Sequence, residues 1–367
     1  MVRPRIERPR VGPRCSLHER AARILDRAGA LETALRVRRF APISTVSVVT
    51  FHHVHDIGEG YAYDPDVVDA TPAQFRRHLE TLARIGTPIG MDAFIRACDG
   101  GSLPPNPWMV TFDDGYRSCR DVALPILREL GIPATFFIPT SFITERRLYW
   151  WERIAAVLHL ARGRRAAIAD PYPLRIDAND PAARRQLDDI VKDTAGLDID
   201  RFLTGLCTAL GVDWSPEIEA RHADALIMTW ADIRALASAG MDVESHTRYH
   251  RVLQTLDGAA LRDELVGSRR ELELELGRPV RAIAYPVGRR VAPWIRRVVA
   301  EAGYRVGFTN ASGVNRMWPA AVRVARPLDL FDMHRLSTER SMSDAMFLTQ
   351  LAVPQLALRP RPRSSNG

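Results

Sequence analysis

The chain has 367 residues, 46% of them hydrophobic, enough for one large core or two modest ones without disulfide staples. Its net charge of +7 sits at the ends: residues 1–40 hold eleven arginines against four acids, and Arg359, Arg361 and Arg363 add three more, so the basic residues do not pattern a folded face as a nucleic-acid binder requires. No run approaches the roughly 20 apolar residues of a membrane span, and no apolar segment of a secretion signal follows the basic MVRPRIERPRVGPR start, so the expected location is the cytoplasm, with at most a weak membrane-surface contact by the basic N-terminal arm.

In chain order, residues 16–39 are predicted to form one amphipathic helix with Leu17, Ile24, Leu31 and Leu35 on one face. VSVVTF, Val46 to Phe51, is short, apolar and β-branched and reads as a buried strand. Thr71 as N-cap, Pro72 at the first helical position and Gly86 at the C-cap bound a helix. A helix at about Met91–Cys98, the strand WMVTF (Trp108 to Phe112), a helix from about Arg120 to Leu130 and the strand ATFFI (Ala134 to Ile138) come next. Residues 146–225 open with the Trp-rich RLYWWERIAAVLHLARG and carry little β signal, which predicts a helical insertion beside the mouth of the site.

Alternation then resumes. Helices at Thr229–Ser238, Gly258–Leu276 and Ala292–Ala302 separate the strands MDVES, AIAYP and YRVGFT. Strands alternating with helices imply a parallel sheet with crossovers, and about seven of them imply a closed, distorted (β/α) barrel. The four cysteines, Cys15, Cys98, Cys119 and Cys207, form no CxxC pair and read as free thiols.

In such a fold, polar residues just past the carboxyl ends of strands line the functional face. Four groups fall there: His52, His53 and His55 after VSVVTF; Asp113 and Asp114 after WMVTF; His246 and His250 after MDVES; Tyr285 and Pro286 at the end of AIAYP. Two histidines at i and i+4 meet on one face of a helical turn, and two imidazoles with one carboxylate make a three-ligand divalent-metal site with open positions. A metal also makes two adjacent aspartates tolerable, one as ligand and the other as general base toward water. Gly115, directly after the pair, allows a tight turn there.

TFDDGY, with SHTRYH about 130 residues on, resembles the polysaccharide deacetylase (NodB-homology) family, carbohydrate esterase family 4. FHHV, the stretch ALPILRELGIPATFFIPTSFI and AYPVG resemble further family segments, so the likeness runs from about Ser44 to about Phe347. It implies a distorted (β/α) barrel and a hydrolase that removes N-acetyl groups from the amino sugars of a glycan by metal-activated water. By position, Asp113 is the general base; Asp114, His246 and His250 hold the metal, most readily Zn2+, with Co2+ or Ni2+ as alternatives. The Val287 amide is the oxyanion donor. The implied organisation is a basic arm over residues 1–43, the deacetylase domain over 44–347 with its insertion at about 146–225, and a Pro/Arg-rich tail over 348–367.

The chain also departs from the family pattern. Ala284 stands where the third motif usually carries an arginine that orients the base, and no late Leu-x-x-His is evident. Branches that open on Tyr-His suggest His52 as the general acid, with His53 and His55 behind it. Arg335 in MHRLST resembles an arginine near the end of such chains that orients a carboxylate; an ordinary surface arginine is the other reading. Trp150 and Trp151 are candidates either for stacking on sugar or for packing of the insertion helix. Alternative activities are hydrolysis of a non-sugar amide or O-acetyl ester at the same metal, or glycan binding without catalysis.

Overall fold

The structure is a computed structural model that describes residues 17–38, 40, 44–194, 196–287, 291–317 and 328–353. In chain order the strands are β1 (Ser44–Phe51), β2 (His53–Val54), β3 (Val68–Ala70), β4 (Thr87–Pro88), β5 (Pro107–Phe112), β6 (Ala134–Ile138), β7 (Arg165–Ile168), β8 (Leu174–Asp177), β9 (Asp242–Ser245), β10 (Ala282–Ala284), β11 (Val306–Ser312), β12 (Asn315–Met317) and β13 (Met333–Ser337). Seven of them, in the order β1-β13-β11-β10-β9-β6-β5, pair in parallel, and the β5–β1 pairing closes the ring. β4 extends the sheet beside β5, and β12 pairs antiparallel with the start of β1.

Side chains alternate across each strand. Val46, Val48, Met109, Phe137, Ala282, Ala284, Phe308 and Met333 fill the barrel interior, which Phe94 and Ile95 of the helix Met91–Cys98 join. Val49, Phe51, Val110, Phe112, Phe136, Val243 and Ile283 face outward onto Leu79, Leu127, Leu236, Leu272 and Ile295 of the surrounding helices. The helix Pro72–Ile85 starts as its sequence predicts, with the Thr71 side chain accepting from the Gln74 N–H and Pro72 in the first turn.

One expectation is corrected. Residues 16–39 are not one helix: Leu17–Arg27 and Ala30–Arg38 are separated at Gly29, whose φ of 67° is left-handed. That break turns the second helix, so Leu31 and Leu35 are buried while Ile24 is 67% exposed. The insertion is largely helical, as expected, with one short antiparallel hairpin of β7 and β8 ahead of the helices Ala183–Asp193, Ile199–Leu210 and Pro216–Leu226. Short strands that flank a core of their own carry little alternation, which is why the sequence hid them; Ile168 and Ile176 bury into a cluster with Leu187 and Leu206. Past residue 347 the chain continues as the helix Asp344–Ala352, with Leu351 buried against the core. Cys98, Cys119 and Cys207 are buried and form no disulfide, and Cys15 lies outside the described residues.

Candidate active site

The interior column of several barrel strands ends in a chemically active residue. Val46, Val48 and Thr50 lead to His52; Met109 and Thr111 lead to Asp113; Glu244 leads to His246; Met333 leads to Arg335. The Thr50 and Thr111 hydroxyls, 2.8 Å apart, mark the level just beneath. Asp113, His246 and Arg335 are almost fully buried.

Asp114 follows Asp113 and would point outward in a continuing strand. Instead its φ is 67°, and Gly115 at 66° completes the turn. The carboxylate therefore swings back over the barrel. His246 and His250 do not meet on a helical turn as the sequence suggested; a loop brings them together through left-handed Thr247 (φ 67°) and His250 (φ 51°). Val287, at φ 55°, is also left-handed and half exposed, just past the end of β10. These are four of the six non-glycine residues with positive φ among the described residues, and such backbone persists where the surroundings impose it.

The Asp114 carboxylate and the imidazoles of His246 and His250 each offer one ligand atom, all within 4.8 Å of one another. Both Nε2 atoms lie 3.4 Å from Asp114 Oδ1, which is buried and has no hydrogen-bond partner. His246 Nδ1 lies 2.8 Å from the Ala284 carbonyl. Since a carbonyl only accepts, Nδ1 carries the proton and Nε2 presents its lone pair to the cluster. Burial, with His246 alongside, pushes the His250 imidazole down to about 4, so it is neutral near pH 7. Burial works against charge on Asp114, yet the histidines around it, His52 among them, outweigh it and keep its pKa below the usual carboxylate range. Three lone-pair atoms facing one another without a donor among them fit a divalent cation, and the two-nitrogen, one-oxygen set suits zinc or a similar ion.

Asp113 is held differently. Arg335 Nη1 and Nη2 donate to its Oδ1 and Oδ2, both at 2.7 Å, in a bidentate pair. Arg335 also donates through Nε to the Thr309 carbonyl at 3.3 Å and through Nη2 to Asn310 Oδ1. Burial opposes the Asp113 charge; the Arg335 guanidinium more than compensates and holds its pKa below the ordinary value. Arg335 is thus the arginine on the carboxylate and not a surface residue. It supplies from β13 what Ala284 cannot supply from β10, where Ala284 packs in the barrel interior. Asp113 Oδ2 lies 4.0 Å from His246 Nε2, so the ionised carboxylate borders the two-histidine, one-aspartate cluster.

His52 is partly exposed, and its Nδ1 lies 2.9 Å from Asp69 Oδ2, which also accepts from the His52 backbone N–H. Burial alone disfavours its cation, but Asp69, with Asp114 and Asp113 beyond it, raises its pKa to about 10. His53 points the other way, as alternation requires: its Nδ1 is 2.6 Å from Ser118 Oγ and its ring stacks on His55 and Tyr116. His334 precedes inward-facing Arg335 on β13 and so belongs to the opposite face. Asp69, Asn310 and the metal cluster's rear wall were missed in the sequence. Asp69 sits in the apolar VVDA and Asn310 in an unpredicted strand end, so neither carried a local signal.

That wall is the start of the insertion. The Tyr149 hydroxyl donates to the Asp114 carbonyl, and the Trp151 ring stacks on Tyr149 at 4.6 Å and lies 5.2 Å from the His250 ring. Trp151 Nε1 donates to the Tyr116 hydroxyl, which donates to Glu152 Oε1 at 2.7 Å. Burial pushes the Glu152 carboxyl up to about 8. Trp151 is therefore a packing residue, and Tyr116 a support for the wall.

A two-histidine, one-aspartate cluster that could hold a metal ion and a clamped carboxylate thus meet at the carboxyl ends of the strands of a parallel barrel. The sequence model of the polysaccharide deacetylase family matches residues 100–194 and 202–307, and the chain belongs to this family. The match includes Asp113, Asp114, His246, His250 and Val287; His52 and Arg335 fall outside it. No curated protein matches the chain by sequence. Among solved structures, it resembles a Streptococcus pyogenes deacetylase in complex with acetate, at 17% identity over 84% of this chain and 99% of that one, with a TM-score of 0.54. A Bacillus cereus polysaccharide deacetylase shares 18% identity over 84% of this chain and 69% of its own, with a TM-score of 0.53. A de-N-acetylase from Aggregatibacter actinomycetemcomitans gives 13%, 84%, 100% and 0.52. At these identities the likeness concerns the fold.

Proposed function

We propose that this protein is a metal-dependent hydrolase that removes N-acetyl groups from amino sugars within a glycan. The observation that carries the reading is the pairing of the Asp114, His246 and His250 cluster with a separate, ionised Asp113 at its border. A divalent ion in such a cluster supplies Lewis acidity toward an amide carbonyl and lowers the pKa of water toward neutrality. Asp113 takes the proton of the attacking water, and the Arg335 fork keeps its carboxylate ionised and aimed. The backbone N–H of Val287 is the oxyanion donor, a contribution worth roughly 2.7–4 kcal/mol for a preorganised group. His52, protonated through its contact with Asp69, donates a proton to the departing amine, which cannot leave without one.

The Arg335 clamp supports a catalytic reading over a glycan-binding one, since a binder has no use for an oriented base. Stripping metal with a chelator is expected to lower acetate release from N-acetylated oligosaccharides by about 10²-fold or more, with recovery on adding Zn2+, Co2+ or Ni2+. Preferential release from small amides or O-acetyl esters would overturn the substrate assignment. His52→Ala is expected to lower kcat by roughly 10²–10⁴-fold with metal content unchanged, and His53→Ala to do much less. Loss of metal in His52→Ala would make His52 a ligand instead.

A further inference from the structure

We infer that Glu264 is a positioning residue for the candidate metal site: its carboxyl oxygen holds the loop from His246 to His250 in the shape that brings both imidazoles to Asp114. The inference rests on the metal reading above and adds to it a residue outside the ligand cluster. Glu264 lies on the π-type turn Asp263–Gly267, between the helices Gly258–Arg262 and Ser268–Leu276, and is 1% exposed. Turns of this kind within helices recur at functional sites.

Residues 247–250 belong to no helix or strand, so their backbone groups need partners from elsewhere. Glu264 Oε2 accepts from the N–H groups of Arg248 and Tyr249, both at 2.9 Å. Two successive N–H groups turned to one oxygen, beside the left-handed Thr247, make a small concave seat for an acceptor. Ser245 Oγ accepts from the Thr247 N–H at 3.1 Å. The Thr247 and Arg248 carbonyls accept from the N–H groups of Thr140 and Ser141, at 3.1 and 3.0 Å, in the first turn of the helix Thr140–Glu145. Backbone amides thus hold two of the loop's carbonyls, and the single oxygen of Glu264 holds two of its amides. Gly267, at the end of the same π-type turn, permits the close approach: a Cβ there would lie 2.5 Å from Arg248 Cδ.

The contact acts on the ligands through position. His246 is anchored separately, by its backbone N–H on the Ile138 carbonyl and its Nδ1 on the Ala284 carbonyl. His250 follows directly on Tyr249, so the Glu264 contact sets where His250 Nε2 stands relative to Asp114 Oδ1, 3.4 Å away. A site already in shape binds its ion more tightly than one the ion must first assemble, because the ordering is complete beforehand. The neighbouring acids do not share this role: Asp263 and Glu271 meet the Arg248 side chain, at 2.8 and 2.9 Å.

The test is the Zn2+ affinity of the full chain, by competition with a chromophoric chelator, together with the visible absorption of the Co2+-loaded protein and the thermal transition of the metal-free one. Glu264→Asp keeps the charge and withdraws the oxygen by one methylene. It is expected to lower Zn2+ affinity by about 10–100-fold and to alter the Co2+ absorption. Glu264→Gln removes the charge and keeps an acceptor oxygen at the same reach, and is expected to stay near the wild type in both. Asp263→Ala, which loses only the contact with the Arg248 side chain, is expected to leave both unchanged. Wild-type affinity in Glu264→Asp, with only the thermal transition lowered, would overturn the inference by reducing Glu264 to a structural residue. Weak binding by Glu264→Gln beside normal binding by Glu264→Asp would overturn it as well, by making charge and not position the cause. Absence of Zn2+ binding by the wild type would instead overturn the metal reading, and this inference with it.

Discussion

Asp113→Asn is expected to retain a full complement of metal and to lose roughly 10²–10⁴-fold in kcat. The substitution keeps the side chain's size and removes only its charge and basicity. Asp114, His246 and His250 are left as they were, and it is these three whose ligand atoms converge. His246→Ala is expected to do the opposite, losing metal and activity together. The His246 imidazole contributes Nε2 to the cluster while its Nδ1 is tied to the Ala284 carbonyl, so no neighbouring nitrogen takes its place. Metal per chain by mass spectrometry and acetate release, measured on both variants, separate the two roles. Near-normal turnover in Asp113→Asn, or its loss of metal, would sink the assignment of base and ligands.

Arg335→Met should be strongly damaging although it touches no candidate metal ligand. It removes one partner of a fully buried ion pair, a change that costs about 3–5 kcal/mol when the remaining charge is left uncompensated. It should also lower kcat, because the base loses its orientation and its reason to be ionised. The pH dependence has a definite sign. In the wild type the folded pKa of Asp113 lies below its unfolded value near ~3.9, so the pair's stabilisation is complete above ~4 and is lost as pH falls through the folded pKa. In Arg335→Met the largest influence opposing burial is gone and only His246 and His52 still favour the charge, so the folded pKa rises and the protein is destabilised at neutral pH. The gap in thermal stability between metal-free wild type and variant is therefore expected to be widest near pH 7 and to narrow toward pH ~4. The acidic limb of kcat/KM is expected to move upward in pH. Arg335→Lys keeps the charge but not the fork and should fall between the two. A gap that stays constant with pH would mean that Arg335 acts by packing alone.

The two N-terminal helices show how far local signals reach. The periodicity of residues 16–39 marked them as helical, and Leu31 and Leu35 as buried, but a continuous stripe hid the turn at Gly29 that leaves Ile24 in solvent. In the insertion, the helix starting at Trp150 was evident from composition. The hairpin of β7 and β8 was not, because its four-residue strands bury mainly Ile168 and Ile176.

What the sequence determined by itself was everything set by neighbours along the chain. Thr71 caps its helix because its hydroxyl and the Gln74 amide are three residues apart. VSVVTF, WMVTF and ATFFI are strands because short β-branched and aromatic runs bury on both sides of a parallel sheet. Each of these strands hands its next residues to the carboxyl end of the barrel, so the positions of His52, Asp113 and Asp114 were legible too. Tertiary structure alone decided which of these polar residues meet, and in what ionisation state. Arg335 reaches Asp113 across 222 positions of sequence only because β13 and β5 both flank β1 in the closed ring. His52 rather than His53 borders the site because the strand's alternation is anchored by the Val46 and Val48 side chains inside, and it is charged because Asp69 comes back beside it. The convergence of Asp114 with His246 and His250 rests on left-handed backbone at Asp114, Thr247 and His250, conformations a sequence pattern does not encode and the packed barrel imposes.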